Sequence, residues 1–401
     1  MATTSNISPQ DVGEPARTAV FKQDWPLGTT YRIPALIYIP GRRCFLAFAE
    51  KRSSPQDTDA LHLVLRKGTL EHGTVQWLPC QDLTSACLIN HRTMNPCPVF
   101  EKASQTIFLF FICILGKTSE HNQICTGKNK ARLCYVTSSD YGQTWSEAID
   151  LTESVIGSKI KRWATFAVGP GHGIQTESTR LIIPAYVYYI HQTFLCFPRP
   201  CSVKPHAFCF YSDDYGTTWN VGRILETKSC ECEMAEILSA KGKYVYCNAR
   251  NIHGHRVEAL STSDGMDFAE SHLSENLVEP CHGCQGSVVS FTAPTSGSEN
   301  KGQKDLTGCD VLKSNTWLLY SHPTSRHERR DLGVYLNRSP LDPSRWEKPW
   351  IIHSGPSGYS DLACCDDECH FACLVECGRL SNLEEILFVY FNIKHILEYC
   401  K

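Results

Sequence analysis

The sequence has no long apolar segment and no recognisable leader. Its longest apolar run, Ile107–Leu115, is far shorter than the roughly 20 residues that span a bilayer. The first ten residues, MATTSNISPQ, are polar, and neither end carries a lipidation motif. We therefore expect neither a signal peptide nor a transmembrane helix.

A charge excess of one sign is also missing. The 401 residues contain 39 Lys plus Arg and 42 Asp plus Glu, which gives a net charge of −3. This balance excludes a generally basic nucleic-acid-binding surface, and no nucleic-acid partner is expected. Hydrophobic residues make up 42% and charged residues 20%, which is typical of a globular protein and argues against disorder.

Cysteine, in contrast, is abundant, with 22 residues. Without a leader, these cysteines indicate reduced thiols rather than a disulfide framework. In isolation, two groups have spacings that would suit zinc: Cys281 with Cys284, and a second group comprising Cys364, Cys365, Cys369, His370, Cys373 and Cys377.

Helical periodicity is scarce, and short β-rich runs recur between Gly, Pro, Asn and Asp. Examples are Leu181–Tyr188, Ala207–Ser212 and Ile386–Phe391. Many short strands with punctuating turns predict an all-β sandwich, barrel or propeller. No linker divides the chain, so residues 1–401 are predicted to form a single domain. The polar stretch at about 294–314 is predicted to be a surface loop insertion.

An eight-residue motif recurs along the chain. Ser138–Trp145 (SSDYGQTW) and Ser212–Trp219 (SDDYGTTW) agree at six of eight positions, and a weaker copy lies at Ser261–Phe268. In such a turn the Asp accepts amide hydrogen bonds, Gly supplies positive φ and the final aromatic ring packs between strands. These residues are therefore predicted to be structural.

The repeated motif resembles the Asp box of sialidases. Upstream of the repeats, Tyr31–Pro34 (YRIP) resembles the F/Y-R-I-P motif of the same family, and the order of the motifs is the family's order. The likeness covers about residues 20–395. Among animal exo-α-sialidases (neuraminidases), the chain most resembles the vertebrate plasma-membrane, ganglioside-preferring type. The resemblance implies a six-bladed β-propeller with Asp-box hairpins, the site at the centre of one face, and no metal or other cofactor.

Sialic acid carries a carboxylate on its anomeric carbon, and a planar arginine fork is suited to bind it. The resemblance implies a triad of Arg32, Arg250 and Arg329. Arg330, its neighbour, is the alternative for the third position. Adjacent residues of a strand point to opposite faces, so only one of the two can face the site.

A neutral phenol suits attack beside the substrate's carboxylate, and sialidases are tyrosine-nucleophile exceptions among glycosidases. The resemblance implies that Tyr359 is the nucleophile and that Glu236 is its base, with Glu233 as the competing candidate. It implies that Asp57 is the acid/base on a mobile loop, with Asp59 as the rival.

Further substrate contacts are implied at Glu50, Arg52, Met94, Asn95, Glu120, Tyr186, Tyr188 and Gln285. Glu376 is expected to orient Arg32 from behind the site. The implied activity is release of terminal sialic acid with retained configuration. The expected substrates are gangliosides, sialo-oligosaccharides and glycoproteins.

The expected location is the plasma membrane, peripherally, with cytoplasm or other membranes as alternatives. The aromatic segment Tyr189–Phe197 either contacts a lipid headgroup region or packs on its own blade. Two competing functions stay open: a cytosolic sialidase of broad specificity and a non-catalytic sialic-acid-binding propeller. The second is disfavoured because the acid, base and nucleophile candidates are all present.

Overall fold

A computed structural model describes residues 13–24, 28–194, 197–198, 202–268, 270–294 and 316–399. Apart from Pro294, the insertion expected at about 294–314 lies outside the described residues, as do the side chains of Phe194 and Phe197. Eighteen cysteines of the described part are free thiols.

The described residues form strands and two short α-helices, numbered in chain order, besides short 3₁₀ and π turns. The strands of the first half are β1 (Ala16–Lys22), β2 (Thr30–Ile39), β3 (Cys44–Arg52), β4 (Ala60–Glu71), β5 (Thr74–Trp77), β6 (Gln81–Asp82), β7 (His91–Glu101), β8 (Thr106–Leu115), β9 (Ala131–Ser138), β10 (Ile149–Asp150), β11 (Trp163–Val168), β12 (Ile174–Gln175), β13 (Leu181–Ile190), β14 (Thr193–Phe194) and β15 (Phe197–Pro198). Those of the second half are β16 (Val203–Ser212), β17 (Asn220–Val221), β18 (Cys232–Ser239), β19 (Gly242–Ala249), β20 (His255–Ser261), β21 (Glu270–Val278), β22 (Ser287–Thr292), β23 (Thr316–Pro323), β24 (Arg330–Asn337), β25 (Trp350–Cys364), β26 (His370–Cys377) and β27 (Glu385–Asn392). The helices are α1 (Glu120–Thr126) and α2 (Ile393–Tyr399). Each helix has seven residues, so neither could cross a membrane.

Most sheets are antiparallel meanders of strands that follow one another in the chain. Four of them have the orders β2-β3-β4-β5, β7-β8-β9-β10, β11-β13-β16-β17 and β18-β19-β20-β21. A longer sheet has the order β22-β23-β24-β25-β26-β27-β1. Its long strand β25 pairs with β24 along 350–356 and with β26 along 357–364. Because β1 joins β27, the first strand of the described residues completes the sheet that their last strands build.

The core lies between neighbouring sheets, because each sheet buries apolar side chains on both faces. Phe110 of β8 and Phe208 of β16 are fully buried in one such layer. Trp219 packs edge-on against Phe110 with ring centroids 4.5 Å apart. The resulting architecture is all-β, as the strand pattern predicted, and it is propeller-like, as the resemblance implied.

The repeated motifs form the turns that were expected. Asp214 Oδ1 accepts the backbone N–H of Thr218 at 2.8 Å, and Trp219 donates its indole N–H to the Gly216 carbonyl at 3.1 Å. Gly216 has φ 90°, and a Cβ at this position would lie 2.3 Å from Phe108. The motif therefore closes a hairpin and anchors its aromatic ring between two sheets.

Candidate active site

One cavity of about 580 Å³ opens where several strands begin or end. Arg32 lies near the start of β2, and its register partner in β3 is Glu50, so the beginning of β2 and the end of β3 share one edge. Arg250 directly follows β19, and its backbone N–H donates to the Glu231 carbonyl just before β18. Antiparallel pairing thus brings side chains that are distant in sequence to the same face.

The three arginines implied by the resemblance all line this cavity. Arg32 donates its Nε–H to Glu376 at 2.7 Å, and the same carboxylate accepts the backbone N–H groups of Ile33 and Tyr359. Burial lowers the pKa of Arg32, but the facing Glu376 carboxylate outweighs this effect, so the pKa lies above its ordinary value. From outside the cavity, Glu376 therefore holds Arg32 next to β25, the strand that carries Tyr359.

The choice between adjacent arginines is resolved by their positions. Arg329 lines the cavity, and its guanidinium carbon lies 5.3 Å from the centroid of the Tyr359 ring. Arg330 forms an ion pair of 3.5 Å with Glu328 at a largely exposed position. Arg329 is thus the member of this pair that faces the site.

The predicted pairing of Glu236 with Tyr359 is wrong. The hydroxyl of Tyr359 donates to Glu231, which also accepts a 2.8 Å ion pair from Arg250. Glu236 accepts the backbone N–H of Glu177 at 2.9 Å, outside the cavity. The physical reason is strand geometry: five residues of extended chain separate the two glutamates by about 16 Å.

Tyr359 is buried and lies among charged groups. Arg250 Nη1 donates to its hydroxyl at 3.1 Å, and the guanidinium carbon of Arg32 lies 5.8 Å from its ring centroid. Burial, and then the negative charge of Glu231, raise the pKa of Tyr359 well above its ordinary value, although Arg250 and Arg329 act in the opposite direction. The phenol is therefore neutral.

Asp57 also lines the cavity, and its side chain is 65% exposed. It accepts Arg52 Nη1–H at 2.6 Å, and Arg52 also binds Glu50 through Nε at 2.8 Å. Glu50 is fully buried and accepts the backbone N–H of Asn95 at 2.7 Å. The rival Asp59 instead accepts hydrogen bonds from Ser54 and Lys117.

Two of the expected substrate contacts are therefore wrong in position. Glu50 does not line the cavity but supports Arg52 and Asn95 from behind. Gln285 is also buried behind the wall, donating to Glu233 at 3.2 Å and accepting the backbone N–H of Ser360 at 3.0 Å. Burial and internal hydrogen bonds remove both side chains from contact with a ligand.

The other expected contacts line the cavity: Arg52, Met94, Asn95, Glu120, Tyr186 and Tyr188. Glu120 is the first residue of α1. The side chain of Ser119, just before the helix, accepts the backbone N–H of Asn122. Burial, and then the charges of Glu231 and Asp57, raise the pKa of Glu120 to about 7. The cavity lining thus includes a carboxyl group, that of Glu120, whose pKa lies near neutrality.

Sequence reasoning missed Glu231 altogether. The segment Cys230–Glu236 contains three glutamates, and Glu231 alone lies ahead of the first residue of β18, at the edge where Arg250 also lies. That edge position is the signal that could have identified it, because site residues gather where strands end.

A second buried charge cluster lies away from the cavity. His172 Nδ1 is 2.6 Å from Asp361, and His172, Glu233 and Asp361 offer ligand-type atoms within 4.8 Å of one another. The carboxylates already accept hydrogen bonds, from the backbone N–H of Val288 to Glu233 and from that of Leu36 to Asp361. Burial beside Asp361 raises the pKa of Glu233 well above its ordinary value. Backbone N–H groups of the described residues therefore already bind both carboxylates of this cluster.

Comparisons with known proteins identify the family. A BNR repeat-like domain matches residues 44–371. Human Sialidase-3 is 52% identical over 95% of this chain and 93% of its own length. Mouse Sialidase-2 is 45% identical over 91% of this chain and 92% of its own length. The structure of the Hadza microbial sialidase Hz136 has a TM-score of 0.70 at 21% identity, covers 91% of this chain and 66% of that chain, and supports the fold alone. The chain belongs to the sialidase family of glycoside hydrolases, which confirms the resemblance of its motifs.

Proposed function

We propose that this protein is a retaining exo-α-sialidase that hydrolyses terminal sialic acid from glycoconjugates. The observation that carries the proposal is the hydrogen bond from the Tyr359 hydroxyl to Glu231 in a cavity that also holds Arg32, Arg250 and Arg329. A phenol paired with a carboxylate among three arginines suits attack on an anomeric carbon that bears its own carboxylate.

The arginines bind and orient the substrate carboxylate. Arg32 uses Nε for Glu376, which leaves Nη1 and Nη2 without partners among the described residues. Arg329 likewise keeps Nη1 without a partner in the described part of the chain. These N–H groups can form charge-assisted bonds to the carboxylate and thereby set the anomeric carbon near Tyr359.

In the first chemical step, the Tyr359 oxygen bonds to the anomeric carbon while the glycosidic C–O bond breaks. The phenolic proton passes to Glu231, and Asp57 gives its proton to the leaving oxygen. In the second step, Asp57 takes a proton from water as the water oxygen displaces Tyr359, which recovers its proton from Glu231. Two inversions at one carbon give a product with retained configuration.

We also propose that the fold is a six-bladed propeller. Supporting this, the seven-stranded sheet changes partners along β25, so β22–β24 with residues 350–356 form one four-stranded unit. Residues 357–364 with β26, β27 and β1 form another. Together with the four separate meanders, this division gives six units, and a blade of four antiparallel strands is usual for propellers.

Gangliosides are the proposed preferred substrates, and peripheral attachment to the plasma membrane is the proposed location. Both rest on the resemblance of the sequence to the ganglioside-preferring type. A cytosolic sialidase of broad specificity is the alternative, and it differs in substrate range rather than in chemistry. The presence of Tyr359, Glu231 and Asp57 in one cavity disfavours a non-catalytic sialic-acid-binding protein.

The test is release of free sialic acid from a ganglioside in mixed micelles and from a small fluorogenic sialoside. Wild type should hydrolyse both, and Tyr359→Phe should lose most turnover while remaining folded. Tyr335→Phe is the matched control, because Tyr335 is 5% exposed, Tyr359 is 7% exposed, and Tyr335 does not line the cavity. Near-wild-type activity of Tyr359→Phe would refute the mechanism, and the ratio of the two rates decides between ganglioside and broad specificity.

A further inference from the structure

A tight turn between β21 and β22 points two successive carbonyl groups toward the site. His282 and Gly283 both have positive φ, 65° and 69°, and Gly283 donates its N–H to the Pro280 carbonyl at 2.8 Å. Backbone in this left-handed region is rare for a residue other than glycine, so the conformation at His282 is held by its surroundings.

Each of the two carbonyls accepts a forked pair of hydrogen bonds from an arginine. The His282 carbonyl accepts Nε–H and Nη2–H of Arg250 at 3.2 and 2.6 Å. The Gly283 carbonyl accepts Nε–H and Nη2–H of Arg329 at 3.3 and 3.0 Å. Because a guanidinium is planar, anchoring one edge of it fixes the direction of the remaining N–H groups.

One buried carboxylate, that of Glu279, holds this turn. Glu279 accepts the backbone N–H of Cys284 and that of Asn251, which follows Arg250, each at 2.9 Å. Glu279 is also bound by Arg256 Nη1 at 2.8 Å, and that same atom donates to the Cys284 carbonyl at 2.5 Å. Both ends of the arrangement, the turn and the backbone after Arg250, therefore depend on Glu279.

The charge of Glu279 is secured by its surroundings. Glu279 is 1% exposed and Arg256 is fully buried. Burial alone would raise the pKa of Glu279, but Arg256 and a hydrogen bond with His322 hold it at about 2. The carboxylate is therefore ionised near neutral pH, and it accepts the two backbone N–H groups as charge-assisted hydrogen bonds.

We propose that Glu279, paired with Arg256, is a positioning residue for the substrate carboxylate: it fixes the turn whose carbonyls orient Arg250 and Arg329. The inference rests on the proposed function, because it assigns these two arginines to the sialic acid carboxylate. It adds a second buried carboxylate, in the segment after β21 rather than on β26 where Glu376 lies, to the support of the arginine triad.

The test is equilibrium binding of 2,3-unsaturated sialic acid, a carboxylate-bearing analogue that is not a glycoside, measured by calorimetry. Glu279→Gln keeps the side-chain shape and removes the charge. We expect about tenfold weaker binding, the effect of impairing one charge-assisted hydrogen bond. Glu258→Gln is the control, because Glu258 is equally buried but accepts hydrogen bonds from Tyr246 and Trp346 rather than from the turn.

Thermal unfolding of both variants separates positioning from general destabilisation. Similar losses of stability, with weaker binding only in Glu279→Gln, would support the inference. Equal losses of affinity in both variants, or unchanged affinity in Glu279→Gln, would overturn it. If wild type itself does not bind the analogue, the proposed function fails and the inference fails with it.

A second pair of variants covers the case in which Glu279→Gln does not fold. A Cβ on Gly283 would lie 2.6 Å from the Asn251 carbonyl and 2.9 Å from Cγ of Arg250. Gly283→Ala should therefore displace Arg250 and weaken binding of the analogue by about tenfold or more. Gly41→Ala has the same backbone strain, at φ 71°, but no atom lies within 4 Å of its Cβ, so its affinity should match wild type. Equal affinities of both alanine variants would overturn the inference.

Discussion

Replacing Glu231 with glutamine tests the most consequential contact of the site. Glu231 is 6% exposed, accepts the hydrogen bond of the Tyr359 hydroxyl and forms a 2.8 Å ion pair with Arg250. A glutamine can still accept that hydrogen bond through its amide oxygen, but it cannot take up the phenolic proton. The variant therefore separates geometry from proton transfer.

The expected loss follows from the role of a general base. A positioned base contributes about 10²–10⁴-fold to the rate, and a loss of 10³ corresponds to about 4 kcal/mol of transition-state stabilisation. For Glu231→Gln we expect kcat to fall about 10³-fold. KM should change by less than about tenfold, because Arg32 and Arg329 still bind the substrate carboxylate.

Glu236→Gln is the matched control, because it makes the same chemical change at the glutamate that the motif had favoured. Glu236 lies outside the cavity, so kcat should stay within about twofold of wild type. Steady-state assays of both variants on a small fluorogenic sialoside give the comparison. Retention of more than about a tenth of wild-type kcat in Glu231→Gln, or an equal loss in both, would refute the pairing of Glu231 with Tyr359.

The control also carries a stability prediction with a definite sign. Burial raises the pKa of Glu236 from 4.5 to about 7, so the folded state holds this proton more tightly than the unfolded chain does. Its contribution to stability is fully present below pH 4.5 and is lost as the pH rises through about 7. Urea unfolding at pH 5 and pH 8 should therefore show that Glu236→Gln is relatively more stable than wild type at the higher pH. A pH-independent difference would contradict this reasoning.

Three further predictions concern the cavity residue Glu120, the buried ion pair of Arg52 with Glu50, and the turn at Asp214. Ionisation of Glu120 near pH 7 adds negative charge beside Glu231, so binding of 2,3-unsaturated sialic acid should weaken from pH 5.5 to pH 8 in wild type and less so in Glu120→Gln, as calorimetry can show. Arg52→Gln leaves Glu50 buried without its ion pair, which should cost about 3–5 kcal/mol in urea unfolding, whereas a loss below about 1 kcal/mol would argue against the buried pair. Asp214→Ala removes turn hydrogen bonds far from the cavity, so it should lower stability by about 1–3 kcal/mol and leave kcat unchanged.

The fold was largely predictable from the sequence because its signals are local. An Asp box uses one short segment for its turn, its hydrogen bonds and its aromatic anchor, so the segment Ser212–Trp219 indicates its own structure. The motif likewise restricted the third arginine to two neighbours, of which alternation lets only one face the site, and the structure places Arg329 in the cavity. Arg32 and Tyr359 follow from motifs whose spacing is short and fixed.

The glutamates and Gln285 were harder to place because their roles depend on depth rather than on motif. Glu231, Glu233 and Glu236 occur within six residues, yet one faces the cavity, one is fully buried behind it and one lies outside it. Order along the chain does not say where a strand meets the site edge. It also does not say which polar side chains form internal hydrogen bonds instead of facing the cavity, as Gln285 does with Glu233 and Ser360.

The contacts of Arg250 explain why a tyrosine here needs a carboxylate partner. Arg250 contacts both Glu231 and the Tyr359 hydroxyl, and its positive charge partly opposes the rise in the pKa of the phenol that burial and Glu231 cause. A bound substrate carboxylate would offset that charge and disfavour a free phenolate. In the proposed mechanism the phenol therefore stays neutral until it attacks, and Glu231, which accepts its hydrogen bond, takes the proton as the new bond forms. The positions of Arg250 and Glu231 are consequently as important to nucleophile activation as to binding, which is why the turn that orients Arg250 should affect both.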